Sequence, residues 1–199
     1  MKGEKIKTMG AGMRLTLKKR FSAKRLALMG VFVALSFAVS LLSFSIFPAS
    51  PVFFLELDFG NVFILLISFL LGPIEGVIVC VLKEGLRILA GSTGGVGELA
   101  NMLMTSAYIL LPSIVYQYRK GLKSVAFTLM VACFIGTAAA LLVNRFITFP
   151  LFLGEKGVTV FTENYVLIIA FNMIKTLSIG VLTLLLYKRL SNFLKKLKI

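Results

Sequence analysis

Two polar side chains, Asn172 and Lys175, lie in the middle of the apolar stretch 166–185, which otherwise has the composition of a transmembrane helix. The lysine is about ten residues, roughly 15 Å of helix, from the nearer end and does not reach water easily. At the membrane centre a lysine costs about 2.5 to 3.5 kcal/mol, so it normally faces a cavity, a counter-charge or a ligand. Three-residue spacing places the amide and the ammonium on one helix face, which offers donors and an acceptor. The pattern predicts a ligand site; the alternative is a helix contact in which Lys175 pairs with a glutamate.

The composition excludes a soluble domain. The 199 residues are 58% hydrophobic with a mean hydropathy of +0.97, whereas soluble domains are about 45–50% apolar. The long apolar runs contain proline and glycine and lack the roughly ten-residue alternating pattern of an outer-membrane barrel. We therefore predict an all-α integral membrane protein with six transmembrane helices.

Positive charges indicate how the chain crosses the bilayer. The net charge is +14, and 17 of the 22 Lys and Arg residues flank apolar segments: nine in 1–25, three in 119–123 and five in 188–199. This distribution is typical of cytoplasmic loops and ends, and it argues against nucleic acid as the partner. We expect cytoplasmic N- and C-termini, with basic tails at 1–25 and 191–199 around a membrane domain at 26–190.

Prolines, glycines and charged residues divide the membrane domain. The predicted spans cover 26–47, 59–71, 74–90, a fourth that begins near 98 and ends at 118, 125–149 and 166–185. The first external loop contains two prolines and ends at Asp58, which is expected to cap the second span, and the last external loop is placed at 150–163. If residues 62–82 formed a single span, the chain would have five spans. An odd number of spans would put one of the two basic termini outside. Glu84 and Arg87 are expected to pair, and together with Lys83 to have a structural role.

Polar residues of the last three spans lie at one level, in the outer half to the middle of these spans. They are Glu98, Asn101, Asn144, Arg145, Asn172 and Lys175. Three helices therefore converge on a pocket that is open to the outside and suits a flat, mostly apolar molecule with a polar edge. The preceding GSTGGVG run is no P-loop, because it has no lysine and joins two helices; it is either a flexible turn or a loop whose amides approach a ligand.

Catalytic and metal sites find no support in the sequence. The chain has no histidine, and its two cysteines lie in apolar runs without metal-ligand spacing. No motif for a nucleophile, an acid–base pair or a metal hydrolase occurs. We therefore predict that the protein is not an enzyme and carries no metal or cofactor.

Four segments carry a resemblance to a known family: FPASPVFFLELDFGN, GGVGELAN, LLVNRFITFPLF and FNMIKTLSIGVLTLLLYKRL. Over residues 24–195 the chain resembles the riboflavin-specific substrate-binding subunit of bacterial energy-coupling factor (ECF) vitamin transporters. The resemblance implies a six-helix protein of the bacterial cytoplasmic membrane that binds the vitamin from outside. It also implies partners: one transmembrane coupling protein and two ATP-binding-cassette ATPases.

The resemblance further implies roles for individual residues. Asn144, Asn172 and Lys175 would contact the isoalloxazine ring, while Gly97 and the loop from Leu55 to Asp58 would close over the ligand. A flavin presents an N–H between two carbonyls, which an asparagine amide complements, and a lysine donates to a ring oxygen or nitrogen. Glu98 and Asp58 would accept hydrogen bonds from the ribityl hydroxyls. Because few arginines face this pocket, riboflavin is favoured over its mononucleotide.

Small residues recur at steps of four along the first span, at Ala23 and Ala27 and then at Gly30, Ala34 and Ala38. Such a strip lets another helix approach closely. It packs either against the protein's own spans or, as the resemblance implies, against the coupling protein. Other functions stay open at this point: a subunit for thiamine, biotin or folate, a self-sufficient carrier or channel, and a membrane enzyme.

Overall fold

The computed structural model describes residues 22–91 and 94–196; most of the predicted N-terminal tail and the last three residues of the C-terminal tail lie outside this range. Six helices and one pair of short strands are its main elements. They are α1 (Ala23–Ser40), β1 (Phe44–Ser45), β2 (Glu56–Leu57), α2 (Asn61–Leu71), α3 (Pro73–Leu89), α4 (Val96–Tyr118), α5 (Leu122–Val143) and α6 (Gly157–Lys196). Between α5 and α6 the chain forms a π-helical turn (Asn144–Thr148), a helical turn (Phe149–Leu153) and a 3-10 turn (Gly154–Lys156).

Three helical stretches of the described chain are long and apolar enough to cross a membrane, judged by length and composition. They are Ala23–Ser40, Val96–Tyr118 and the continuous run Leu122–Tyr187, which contains α5 and most of α6. Because α5 and α6 pack against each other, that run doubles back on itself. Large apolar side chains such as Phe127 and Phe134 are exposed on its outside, as lipid contact requires.

The short helix α2 lies at the centre of the bundle. Eight of its 11 residues are buried, and it packs against α1, α3, α4 and α6. A helix that is apolar on all sides is stable only when neighbouring helices or lipid surround it. Its contact with α3 is close at Gly76, where an added Cβ atom would lie 2.4 Å from the Cβ of Ser68. The sequence NVFILLISFLL therefore specifies a core helix.

The loop between α1 and α2, residues 41–60, is folded back onto the bundle. Its two strands pair antiparallel, with Phe44 opposite Leu57 and Ser45 opposite Glu56. The predicted first span is too long, because α1 ends at Ser40 and the residues up to 47 belong to this loop. The sequence contains no glycine or proline between Ser40 and residue 47 that would have marked this end.

The loop is attached to α1 at one glycine. The Ser36 hydroxyl donates to the Gly60 carbonyl at 2.7 Å, and an added Cβ atom at Gly60 would lie 2.3 Å from the Ser36 carbonyl oxygen. The Gly60 N–H in turn donates to the Asp58 carboxylate at 2.8 Å. Asp58 thus fixes the residue that directly precedes α2, which is close to the capping role expected for it.

The prediction of a long last external loop at 150–163 is wrong. Within this range only the 3-10 turn Gly154–Lys156 is not α-helical, and α6 begins at Gly157. Two glycines make this sharp reversal possible: Gly154 has φ +59°, and an added Cβ atom at Gly157 would lie 2.3 Å from the carbonyl oxygen of Phe149. Residues 158–165 contain no helix breaker, so their polar side chains do not mark a loop.

Candidate functional site

A cavity opens between the 41–60 loop, α3, α4, the π-helical turn and α6. It encloses about 530 Å³ of space between atoms, part of which is open to the surface. All eight residues predicted to bind the ligand line this one cavity. They are Leu55, Asp58, Gly97, Glu98, Asn101, Asn144, Asn172 and Lys175.

Asn144 opens the π-helical turn that follows α5. A π-helical turn shifts the register of the side chains and is common at functional sites. The Asn144 side chain is fully buried, yet neither its Nδ2 nor its Oδ1 has a hydrogen-bond partner within the described part of the chain. Buried polar groups are nearly always paired, so this amide is available to a ligand in the cavity.

Lys175 and Asn172 lie side by side on α6, as their spacing predicted. The Lys175 ammonium donates to Asn101 Oδ1 at 2.9 Å and to the Glu56 backbone carbonyl at 3.2 Å, and it lies 5.8 Å from the ring centre of Phe171. The Asn172 Nδ2 donates to the Ile168 carbonyl at 2.8 Å. Among the described ion pairs, none joins this lysine to a carboxylate, so the pairing with a glutamate considered above is not the arrangement found.

Buried charges connect the loop to α3 beside the cavity. Lys83, which has no exposed surface, forms ion pairs with Asp58 and with Glu84, the latter at 2.6 Å. Arg87 pairs with Glu56 at 3.0 Å and with Asp58 at 3.4 Å. Burial alone would raise the pKa of the Asp58 carboxyl, but the neighbouring cations outweigh burial and hold this pKa below its ordinary value. Lys83 and Arg87 thus bind two carboxylates of the loop.

Glu84 and Arg87 are cavity residues that sequence reasoning missed. Both line the cavity, although they were expected to pair with each other in a purely structural role. Glu84 pairs with Lys83, and the Arg87 guanidinium is held by loop carboxylates. The available signal was the presence of three ionisable residues within five positions of an apolar helix, which is expensive in a membrane unless the charges are paired or used.

The glycine-rich run leads directly into the cavity wall. Gly94 and Gly95 have φ values of +65° and +92°, a backbone conformation that favours glycine. The Glu98 carboxylate accepts the Gly95 N–H at 3.1 Å and so caps the start of α4. Arg145, by contrast, is not a lining residue; its guanidinium donates to the Val158 carbonyl at 3.4 Å and lies over the Phe161 ring.

The small-residue strip of α1 faces away from the bundle. Ala27, Gly30, Ala34 and Ala38 are all exposed, and an added Cβ atom at Gly30 would have no neighbour within 4 Å. Residues that do face the described bundle lie on the opposite side of α1, among them Phe32 and Ser36. The strip therefore does not pack against the protein's own described helices.

Comparisons with known proteins agree with this architecture. Residues 24–187 match the family described as "ECF transporter, substrate-specific component". The riboflavin transporter RibU of Staphylococcus aureus (strain TCH60) is 32% identical over 179 residues, which cover 87% of this chain and 94% of the relative. The riboflavin transporter FmnP of Bacillus subtilis (strain 168) is 27% identical over 188 residues, covering 87% of this chain and 95% of the relative.

A solved structure of the S component of a bacterial ECF transporter has the same fold. It superposes with a TM-score of 0.74 and 33% sequence identity, over 86% of this chain and 98% of the solved one. The predicted family and the predicted helical membrane protein are thereby confirmed, as is the prediction that the protein is not an enzyme. This chain is a multi-pass membrane protein that belongs to the family of substrate-specific components of bacterial ECF transporters.

Proposed function

We propose that this protein binds riboflavin in the cavity and is the riboflavin-specific subunit of an ATP-driven ECF transporter. Two relatives named as riboflavin transporters, at 32% and 27% identity over most of the chain, support this substrate. The eight residues that the sequence assigned to the ligand also line one cavity. The chemistry of these residues supports the same ligand.

The observation that carries the proposal is the unpartnered amide of Asn144, which faces the same cavity as Asn172 and Lys175. The pyrimidine edge of a flavin alternates acceptor, donor and acceptor. An asparagine amide offers one donor and one acceptor, and an ammonium adds a further donor. A flavin edge would therefore pair with the Asn144 amide, which has no partner among the described residues, and with Asn172 and Lys175, which would exchange their present partners for the ligand.

The apolar walls suit the rest of the ring system. Phe54, Leu55, Met104 and Phe171 line the cavity and offer aromatic, aliphatic and thioether surface. Phe54 is held in place by Phe149 and Phe152, with ring centres 5.1 and 4.7 Å away. Such a wall binds a flat aromatic ligand through burial and ring contacts without further hydrogen bonds.

The test is a flavin titration of the purified protein, followed by quenching of flavin fluorescence. Lys175→Met and Asn172→Ala should each weaken riboflavin binding about 5- to 150-fold, since one ligand polar atom is left unpaired at a cost of roughly 1–3 kcal/mol. Lys156→Met is the matched control, because it makes the same change at an exposed turn. Wild-type affinity in both cavity variants would contradict the site, and preferential binding of thiamine or biotin would contradict the substrate.

We further propose six spans, formed by α1 to α6, with both termini in the cytoplasm. The basic clusters at 1–25, 119–123 and 188–199 then lie on one side, as the positive-inside rule requires. Single cysteines at positions 94 and 155 should react with a membrane-impermeant maleimide in whole cells, and one at 120 should not. Cys80 and Cys133 are buried and give a low background. Labelling at 120 would contradict this topology.

Coupling to ATP hydrolysis is proposed to occur through α1. Its strip of Ala27, Gly30, Ala34 and Ala38 is exposed and allows close approach of a helix from the transmembrane coupling protein. That protein and two ATP-binding-cassette ATPases would complete the transporter, since no catalytic group is assigned to this chain. The strip and the cavity lie on different faces of the protein, so docking and ligand binding can be tested separately.

A further inference from the structure

We propose that Glu84 selects ligands that carry a hydroxylated chain, by accepting a hydrogen bond from a ligand hydroxyl at its Oε2 atom. This proposal rests on the proposed function, in which a flavin ring occupies the cavity. Glu84 lines the cavity and is 2% exposed. Its Oε2 atom is buried and has no hydrogen-bond partner among residues 22–91 and 94–196.

The other carboxyl oxygen of Glu84 is held firmly. Its Oε1 atom accepts from the Lys83 ammonium at 2.6 Å and from the Asn101 amide. Two fixed donors orient the carboxyl group, so Oε2 has a defined position before any ligand arrives. A polar group that is already oriented loses little entropy on binding, which is the condition for a specificity contact.

The carboxylates first assigned to ligand hydroxyls are occupied by the protein. Asp58 accepts the Gly60 N–H at Oδ1 and the side chains of Lys83 and Arg87 at Oδ2. The Glu98 carboxylate accepts the Gly95 N–H in the cap of α4. Glu84 differs because it offers the cavity an acceptor that no described donor uses.

The unpartnered groups of the cavity fall on two separate elements. Asn144 offers a donor and an acceptor from the π-helical turn, and Glu84 offers an acceptor from α3. A ligand that pairs with both residues needs one edge that carries hydrogen-bond donors and acceptors. At a separate position it needs a further hydrogen-bond donor. A flavin with a hydroxylated side chain has this distribution. A phosphate ester instead presents charged acceptors, which a carboxylate oxygen repels.

The experiment compares three ligands on two variants of the full-length protein in detergent. The ligands are riboflavin, lumiflavin, which has the same ring and a methyl group in place of the chain, and flavin mononucleotide. In Glu84→Gln, the amide oxygen keeps the bonds from Lys83 and Asn101, and the amide nitrogen replaces Oε2. Glu75→Gln is the matched control, because Glu75 is an equally buried carboxylate of α3 that does not line the cavity.

Glu84→Gln should weaken riboflavin binding about 10-fold, since a hydrogen bond to a charged group is lost, and should leave lumiflavin binding nearly unchanged. The preference for riboflavin over the mononucleotide should shrink, and Glu75→Gln should alter none of these ratios. If Glu84→Gln does not fold, Glu84→Asp withdraws the acceptor by one methylene and should show the same ligand selectivity.

An equal loss for riboflavin and lumiflavin would overturn the proposal, because Glu84 would then only support the fold. Unchanged affinity for both ligands would overturn it as well. Failure of the wild-type protein to bind any flavin would refute the proposed function and, with it, this role. The wild-type titration alone therefore separates the two failures.

Discussion

The two ends of the helical bundle use polar side chains in opposite ways. At the end opposite the cavity, near Gly72, polar groups bind each other: Ser113 donates to Ser68 at 2.7 Å, and the hydroxyls of Tyr116 and Tyr187 contact each other. At the cavity end, five charged residues of the loop and α3 form a largely buried network, yet polar atoms of Glu84 and Asn144 have no hydrogen-bond partner among the described residues.

The two ends of the bundle also differ in their number of buried side-chain atoms without a hydrogen-bond partner. Within the described residues, four buried side-chain atoms lack a hydrogen-bond partner, and three of them belong to Glu84 and Asn144. Both residues line the cavity, whereas the fourth atom, Thr137 Oγ1, belongs to α5 and does not line this cavity. Since an unpaired buried group costs about 1–3 kcal/mol, the cavity end gives up stability that the opposite end keeps.

The largest effect is expected when the charged network is broken. Lys83→Met leaves the Asp58 and Glu84 carboxylates without their shared cation and should lower the free energy of unfolding by about 3–5 kcal/mol. Arg25→Met at the opposite end should cost less, because Arg25 is 30% exposed to solvent and its pair with the buried Glu75 spans 3.8 Å. Thermal unfolding in detergent measures both, and equal losses would remove the contrast between the two ends.

A smaller effect, of opposite sign for stability and binding, is expected at Asn144. Asn144→Leu removes an unpaired buried amide and should raise the free energy of unfolding by about 1 kcal/mol while weakening riboflavin binding at least about 10-fold. Thr137→Val is the control: it removes an unpaired buried group that does not line the cavity, and it should stabilise the protein without changing affinity. Thermal unfolding and flavin titration of both variants provide the test. Destabilisation by Asn144→Leu would mean that the amide supports the fold.

The smallest effect on the isolated protein is expected on the lipid-facing side of α1. Ala34→Trp adds bulk to an exposed surface and should leave both unfolding and riboflavin binding nearly unchanged. Riboflavin uptake in cells and co-purification with the coupling module should be lost, because a helix no longer approaches the strip. If the variant loses flavin binding instead, the strip contributes to the fold and docking occurs elsewhere.

Sequence reasoning predicted the residues that line the cavity better than it predicted the boundaries of the elements. Asn172 and Lys175 are conspicuous because polar groups are costly within an apolar helix, and the family resemblance supplied Asn144 and the loop residues. The partners of Lys83 were not predictable in the same way. Asp58 is 25 positions away in the sequence, and only the folded loop brings it within reach. Local spacing instead pointed to Glu84 and Arg87 as partners.

The boundaries failed where local signals were weak or ambiguous. The end of α1 at Ser40 goes together with the pairing of β1 with β2. This is a long-range contact, and no residue near Ser40 indicates it in the sequence. The π-helical turn at Asn144 has no sequence signature of its own, although it determines where that amide points. Pro150, Glu155 and Glu163 indicated a loop at 150–163, but two glycines complete the reversal in a few residues.

Helix α1 lies between two surfaces because of its attachment to Gly60. On one face Ser36 bonds to the Gly60 carbonyl, with no room even for a methyl group between the two backbones, and the opposite face carries the exposed alanine strip. A rotation of α1 about its axis would drag the base of the 41–60 loop with it. The exposed strip and the base of the loop that forms the cavity wall are thereby separated only by the width of a single helix.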